Sequence, residues 1–204
     1  MKTILTLIAL CVAYSSFAQI EKGRSYVTGQ FGGGSSKTSD TSGGSSTKQS
    51  SYGLGLGYGY LVANTWAVGL SVSGNGNTTK YYSTNATSTG TGYSITPYVR
   101  KYFPIAEKFY IHADGGLSYA GIKSTYKYDG VPEVTDSKSK VTAVYIRPGL
   151  TYFLSNRFTL NANLGSLNYS NLQTTNGSGQ KTTQKGLNAS FGLNSVTFGA
   201  SIFF

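Results

Sequence analysis

Residues 52–60 read Tyr52-Gly53-Leu54-Gly55-Leu56-Gly57-Tyr58-Gly59-Tyr60, with a large residue and a glycine alternating at every step. Successive side chains of a β-strand point to opposite faces, so this stretch predicts a strand with one apolar face and one nearly bare face. The spacing is strictly two and no amphipathic helix follows, which argues against a phosphate-binding loop. Glycines on one face are expected where that face lines a tight interior.

The same two-residue period recurs along the chain, and no sustained helical period follows residue 20. Strands of roughly ten residues, tilted by about 45°, are long enough to cross a hydrocarbon layer, and only a closed sheet leaves no unpaired edge there. The count is eight, an even number typical of bacterial barrels. We therefore predict an all-β fold, an eight-stranded antiparallel up-and-down transmembrane β-barrel, with strands near residues 24–34, 52–60, 66–73, 93–100, 109–119, 144–152, 158–165 and 196–204.

The first eighteen residues have the pattern of an export signal. Lys2 precedes the apolar run from Ile4 to Ala13, and Ser16-Phe17-Ala18 follows as a small-x-small cleavage pattern. The run is about half the length of a membrane-spanning helix, which favours cleavage. We predict a cleaved signal peptide at 1–18 and a barrel domain at 19–204. Leu10 before Cys11 disfavours lipidation, so the mature chain would contain no cysteine.

The chain has few charged residues, and most of them are basic. Charged residues make up 12% of the chain, and removing Lys2 reduces the formal net charge from +10 to +9. A basic surface can bind nucleic acid, anionic lipid or lipopolysaccharide phosphates. Export favours the last two, so we expect contact with outer-membrane lipid and lipopolysaccharide and none with nucleic acid. We expect a monomer without a cofactor.

The connections alternate in length, and this alternation predicts the orientation. Short turns are expected near residues 62–65, 104–108 and 155–156, and long polar loops near 35–51, 75–90, 125–140 and 170–185. Short turns are periplasmic in such barrels, so both termini would be periplasmic. Aromatic residues would form an inner girdle and an outer girdle at the two interfaces. The inner set is Tyr60, Trp66, Phe103, Phe109, Tyr152, Phe158 and Phe204, and the outer set is Tyr52, Tyr93, Tyr119 and Tyr169.

The chain ends with outward-facing residues at alternate positions: Val196, Phe198, Ala200, Ile202 and Phe204. This motif resembles the terminal insertion signal of outer-membrane β-barrel proteins, and residues 24–204 resemble the small eight-stranded OmpX/OmpA-like class by strand pattern. The resemblance implies that the barrel-assembly machinery acts on this chain during insertion. Phe203 departs from the motif, in which a basic or polar residue usually precedes the last aromatic.

Inward-facing charges are the first candidates for chemistry, since a charge in a lumen must be paired or hydrated. This lumen charge cluster comprises Arg100, His112, Asp114 and Arg147. A hairpin turn at 104–108 would place Arg100 roughly opposite His112, and Asp114 could pair with Arg100 or Arg147. The cluster would fill a narrow lumen, because eight strands enclose just enough space for side chains. A path for protons or small solutes is the alternative.

Enzymatic activity is not expected. His112 lies a few residues past a periplasmic turn, far from the outer leaflet where an acyl-transfer enzyme would act, and the chain has no second histidine. With Asp114 it offers two metal ligands and no third. Gly116-x-Ser118-x-Ala120 lacks the second glycine of a nucleophile elbow. We therefore expect no catalytic, metal or cofactor site.

Lysines cluster in or beside the predicted outer loops, opposed there by Asp40, Asp129, Glu133 and Asp136. This outer-loop basic rim could contact lipopolysaccharide or an external partner, or could simply keep polar loops solvated. We expect a non-enzymatic outer-membrane protein with such a rim. The alternatives are a narrow pore or small-ligand transporter, and an exported soluble β-sandwich adhesin. The rim consists of Lys37, Lys48, Lys80, Lys123, Lys127, Lys138, Lys140, Lys181 and Lys185.

Overall fold

The computed structural model describes residues 20–39, 46–128, 134–192 and 196–204. The predicted signal peptide, with Cys11, and the loop acids Asp40, Asp129 and Glu133 lie outside these described residues. No helix within the described part of the chain has the length and apolarity needed to cross a membrane.

Every regular element in these ranges is a β-strand, and neighbouring strands pair antiparallel. The strands are β1 Ser25–Ser39, β2 Ser46–Ala63, β3 Trp66–Tyr81, β4 Ala86–Ala106, β5 Phe109–Tyr128, β6 Val134–Phe153, β7 Phe158–Asn163, β8 Gly165–Asn176, β9 Lys181–Phe191 and β10 Thr197–Phe203.

The ten segments form a ring of eight strand positions. Each strand from β1 to β6 pairs with the next one, β6 pairs with both β7 and β8, and β10 closes the ring by pairing with β7 and β1. Thus β7 and β8 share one position, and β9 and β10 share another, which confirms the predicted eight-stranded barrel. Leu164 separates β7 from β8, and Gly165 directly after it has a φ of +119°. A Cβ there would overlap the Ser190 carbonyl oxygen, so this position favours glycine.

The alternating faces are as predicted. Leu54 and Leu56 are 60% and 56% exposed on the outer surface, whereas the intervening glycines face inward. Inward glycines also make room for large side chains on the paired strand. A Cβ added at Gly59 would overlap the ring of its cross-strand partner Tyr26. Glycine and aromatic residues thus share the same layer of a lumen too narrow for two large side chains.

One end of the barrel, here called the turn end, carries the short connections at 64–65, 107–108 and 154–157. Both termini of the described barrel are also there, since Ser25 and Phe204 exchange backbone hydrogen bonds of 2.9 Å in each direction. The predicted inner-girdle residues Trp66 and Phe103 are exposed at this end, at 44% and 46%. The outer-girdle residues Tyr93 and Tyr169 are exposed further along the barrel.

The opposite end, here called the loop end, differs from the prediction. The segments expected to be long loops are mostly strand, so that the β3–β4 connection shrinks to residues 82–85 and the β8–β9 connection to 177–180. The predicted strand length of about ten residues is therefore too short, since β4 to β6 have 20 or 21. Threonine-rich polar segments suit a strand, and extending a hairpin satisfies their backbone groups.

Closure of the ring is confined to the turn-end half. The β1–β10 ladder runs from the pair Tyr26 and Phe203 to the pair Phe31 and Phe198. Beyond it, the described residues of β1 and β9 form no ladder with each other. Each of these strands therefore keeps one free edge at the loop end.

Candidate functional site: the lumen and the outward lysines

The predicted lumen charges meet in the interior. Asp114 accepts hydrogen bonds from Arg100 Nε at 2.6 Å and Nη2 at 2.9 Å, and from Arg147 Nη2 at 3.1 Å. The side chains of Arg100 and Asp114 are 3% and 0% exposed, whereas that of Arg147 is 25% exposed. The cluster therefore combines one buried bidentate pair with a second, partly hydrated cation.

The expected register of this hairpin is wrong by two residues. The β4–β5 turn is formed by residues 107–108 only, with an irregularity between Pro104 and Ala106. As a result Arg100 lies opposite Asp114, and His112 lies opposite Tyr102. The shorter turn places the two opposite charges in direct cross-strand contact, where they stabilise the pairing.

Tyrosine rings surround the Arg100 guanidinium. Its Cζ lies 6.0 Å from the ring centroid of Tyr26 and 5.7 Å from those of Tyr98 and Tyr102. The hydroxyls of Tyr26 and Tyr98 share a hydrogen bond of 3.0 Å. Cation–π attraction strengthens when the cation is shielded from water, so these rings help to hold a charge that the solvent cannot reach. The sequence pattern indicates inward tyrosines but not that they converge on one arginine.

His112 has neutral partners on both ring nitrogens. Nδ1 lies 2.9 Å from Thr151 Oγ1 and Nε2 lies 3.2 Å from Asn163 Oδ1. Thr151 in turn donates to Asn161, which donates to Ser201 at 2.7 Å. The described residues contain no group of three potential metal-ligating side chains. His112 therefore belongs to a polar network that links neighbouring strands across the lumen.

An aromatic layer closes the turn end below the charges. Phe203 is 1% exposed, with its ring centroid 4.9 Å from that of Tyr26 and 5.4 Å from that of Phe153. Tyr110 packs against Phe153 at 5.4 Å. The residue that departs from the expected terminal motif is thus the inward one. At this position an apolar ring fills the lumen, where a polar residue would leave it more open to water.

A cavity of about 530 Å³ lies towards the loop end, and none of its lining residues is charged. It is lined by glycines, by neutral polar residues such as Gln30, Ser73 and Asn75, and by Phe31, Tyr52, Leu54 and Val196. The bulky layers lie on the turn-end side of it. Within the described part of the chain, the lumen is therefore open towards the loop end and filled towards the turn end.

The other predicted group, the basic rim, lies largely on the outer wall. Lys123 and Lys138 are direct cross-strand partners, and Lys140 is the partner of Gly121. These three exposed lysines share the outward face with Tyr93, whose ring covers Gly121. They surround a shallow groove of about 380 Å³. A second row consists of Lys37, Lys48 and Lys80, which are cross-strand partners on β1, β2 and β3. It lies four residues from Tyr52 towards the loop end.

The terminal motif residues lie as the alternation predicts. Phe198, Ala200 and Ile202 belong to β10 and pair on one side with β1 and on the other with β7. Val196 directly precedes the strand, and Phe204 is 64% exposed after it. These residues form the wall that closes the ring, and their reading by an assembly machinery stays a prediction.

An antiparallel eight-strand ring with an apolar outer wall and a polar interior defines an integral outer-membrane β-barrel protein. The sequence profile of the family described as outer membrane protein beta-barrel domain matches residues 3–195, and the chain belongs to this family. No curated protein sequence matches it.

Solved structures show the same fold. OprG from Pseudomonas aeruginosa has 14% identity over 93% of this chain and 99% of its own, with a TM-score of 0.52. A major outer membrane protein from Thermus thermophilus has 13% identity over 89% of this chain and 98% of its own, with a TM-score of 0.51. At these identities the likeness concerns the fold alone.

Proposed function

We propose that this protein is a non-enzymatic outer-membrane barrel whose outward lysines bind the phosphate groups of lipopolysaccharide in the outer leaflet. The main support for this proposal is the lysine groove formed by Lys123, Lys138 and Lys140. Lys123 and Lys138 repel each other as direct cross-strand partners, and a bound anion between them would remove that repulsion. Lys37, Lys48 and Lys80 are paired in the same way, so the position of the groove beside Tyr93 is what distinguishes it.

The position of the groove supports a lipid partner. Tyr93 and Lys140 are the two cross-strand partners of Gly121, which places this lysine beside the predicted outer aromatic girdle. In the described residues, the ion pairs are those of Asp114 with Arg100 and Arg147, and neither involves a rim lysine. Cations at this height are well placed for headgroup phosphates, with a contribution of about 1 kcal/mol for each lysine near an anionic surface.

The proposal includes an orientation and a closed lumen. Short turns and both barrel termini share one end, which we assign to the periplasm, and the strand extensions then project outside the cell. The aromatic layer around Phe203 and the Arg100–Asp114 pair support a lumen that does not conduct metabolites. The engagement of both His112 nitrogens with neutral partners supports the absence of catalysis.

The test is binding of purified lipid A to the detergent-solubilised barrel, with the lysines of the groove replaced together by glutamine. We expect the triple variant Lys123→Gln, Lys138→Gln, Lys140→Gln to bind on the order of 100-fold more weakly, since three contacts of about 1 kcal/mol are removed. Added salt should weaken wild-type binding, because the contacts are exposed and screened.

The matched control removes the same charge from the second lysine row, through Lys37→Gln, Lys48→Gln and Lys80→Gln. This variant should keep most of its affinity, as its lysines lie farther from the girdle. Equal losses in both triple variants would reduce the effect to net charge and contradict a defined phosphate site. Unchanged binding of lipid A lacking its phosphates would contradict it as well.

A further inference from the structure

We propose that a second lipid site lies at the turn end, where Lys101 binds the headgroup phosphate of an anionic glycerophospholipid. Thr65 Oγ1 and the rings of Trp66 and Phe103 hold the lysine in place. The adjoining apolar groove would hold part of one acyl chain. This site and the lysine groove both involve β4, β5 and β6, but they lie towards opposite ends of these strands and share no lining residue. Only its assignment to the inner leaflet rests on the orientation proposed above.

Lys101 is a cation held on the lipid-facing wall. It lies on the outward face of β4 with Val99 and Phe103, and its cross-strand partners are Trp66 and Ala113. Its Nζ lies 4.8 Å from the Trp66 ring centroid and 6.0 Å from that of Phe103. The ammonium thus contacts aromatic faces and one hydroxyl, and the two ion pairs in the described part of the chain lie elsewhere. An ammonium in this setting is suited to an anion from the membrane.

The hydroxyl comes from a residue in an unfavourable backbone conformation. Thr65 has a φ of +68°, in the left-handed region that β-branched residues rarely adopt. Its Oγ1 accepts a hydrogen bond of 2.7 Å from Lys101 Nζ. Glycine or asparagine would suit this two-residue turn better. Strain retained in a turn is a reason to look for a function there, and the hydroxyl that fixes Lys101 supplies one.

The groove beside Lys101 matches an amphiphile in both shape and polarity. It has a volume of about 380 Å³ and is lined by the apolar residues Trp66, Val99, Phe103, Ala113 and Ile146, with Gly115, Lys101 and Asp114. The carboxylate of Asp114 is 0% exposed and pairs with Arg100 in the lumen. Gly115 and Ile146 are paired with each other two residues farther towards the barrel centre than Lys101. The cation therefore lies at the interface end and the apolar floor lies towards the midplane, which is how a phospholipid is oriented.

The chain has one tryptophan, so fluorescence reports on this site directly. The full barrel is reconstituted in vesicles that contain brominated phosphatidylglycerol or brominated phosphatidylcholine, and quenching of Trp66 gives the relative occupancy of the two lipids. We expect the anionic lipid to be preferred about fivefold in the wild type, as a single lysine near an anionic headgroup provides. Lys101→Gln should reduce this preference to about one.

Two further variants separate binding from folding. Lys108→Gln removes a cation from the adjacent turn, outside the groove, and should keep the preference. Thr65→Gly relieves the turn and removes the hydroxyl, so the barrel should fold normally and yet lose part of the preference. Equal quenching by both lipids in the wild type, or a preference that survives Lys101→Gln, would overturn the site. Protection of Trp66 from both lipids would indicate a protein contact and would also overturn it. None of these outcomes depends on lipid A binding.

Discussion

Replacing Asp114 by asparagine should destabilise the barrel by about 3–5 kcal/mol, the range for breaking a buried ion pair by removing one partner. The substitution keeps the side-chain volume but removes an acceptor of three charge-assisted hydrogen bonds. It leaves the Arg100 guanidinium, 3% exposed, without its counter-charge. Replacing Arg147 by glutamine should cost about 1 kcal/mol, because that side chain is 25% exposed and water can substitute for its contacts.

The measurement is urea unfolding of the barrel in lipid vesicles, followed by Trp66 fluorescence and by the mobility of unheated samples on a gel. The double variant Arg100→Met, Asp114→Leu should be close to the wild type in stability, since an apolar pair of similar size avoids the desolvation of two charges. The reasoning is refuted if Asp114→Asn lies within about 1 kcal/mol of the wild type, or if the double variant is as unstable as the single one.

Two other predictions concern the lumen and the last residue. Liposomes that contain the wild-type protein should show no swelling in isotonic sugar, because the layer around Phe203 and Phe153 fills the turn end, and measurable sugar flux would contradict a closed lumen. Phe204→Ser should reduce the amount of folded barrel recovered from the outer membrane by several-fold, whereas the stability of molecules already folded should change little. Normal insertion of this variant in a quantitative blot would remove Phe204 from the proposed insertion signal.

The sequence is sufficient for the fold because the two faces of each strand differ so strongly. The glycine stripe beside Leu54 and Leu56 specifies which face is inside, and the period of two allows no shift by one residue. The same alternation places Arg100, Asp114 and Arg147 in the lumen. The inward direction of these charges follows from their position in the strand, so it can be predicted without knowing which residues they pair with.

Other features depend on geometry that the period does not contain. A shift of the β4–β5 hairpin by two residues keeps every side chain on its face, so the alternation cannot choose between His112 and Asp114 as the partner of Arg100. The extended strands at the loop end resemble loops in sequence because serine, threonine and glycine suit both. The aromatic layer under the charges depends on Phe203 pointing inward, and the alternation along β10 predicts that direction. Comparison with the terminal motif shows only that Phe203 replaces the usual basic or polar residue.

The incomplete closure at the loop end has a consequence for how these molecules behave beside one another. At the loop end, the described residues of β1 and β9 each form an edge without a ladder partner, and such an edge is a template for strand addition by another chain. Lys37 lies on one edge strand, and Lys181 and Lys185 lie on the other. Like charge on both edges repels an identical neighbour, and lysine is the residue that natural sheets use to prevent edge-to-edge aggregation. If the loop end faces outwards as proposed, these three lysines would keep neighbouring barrels on a crowded cell surface from polymerising through their edges.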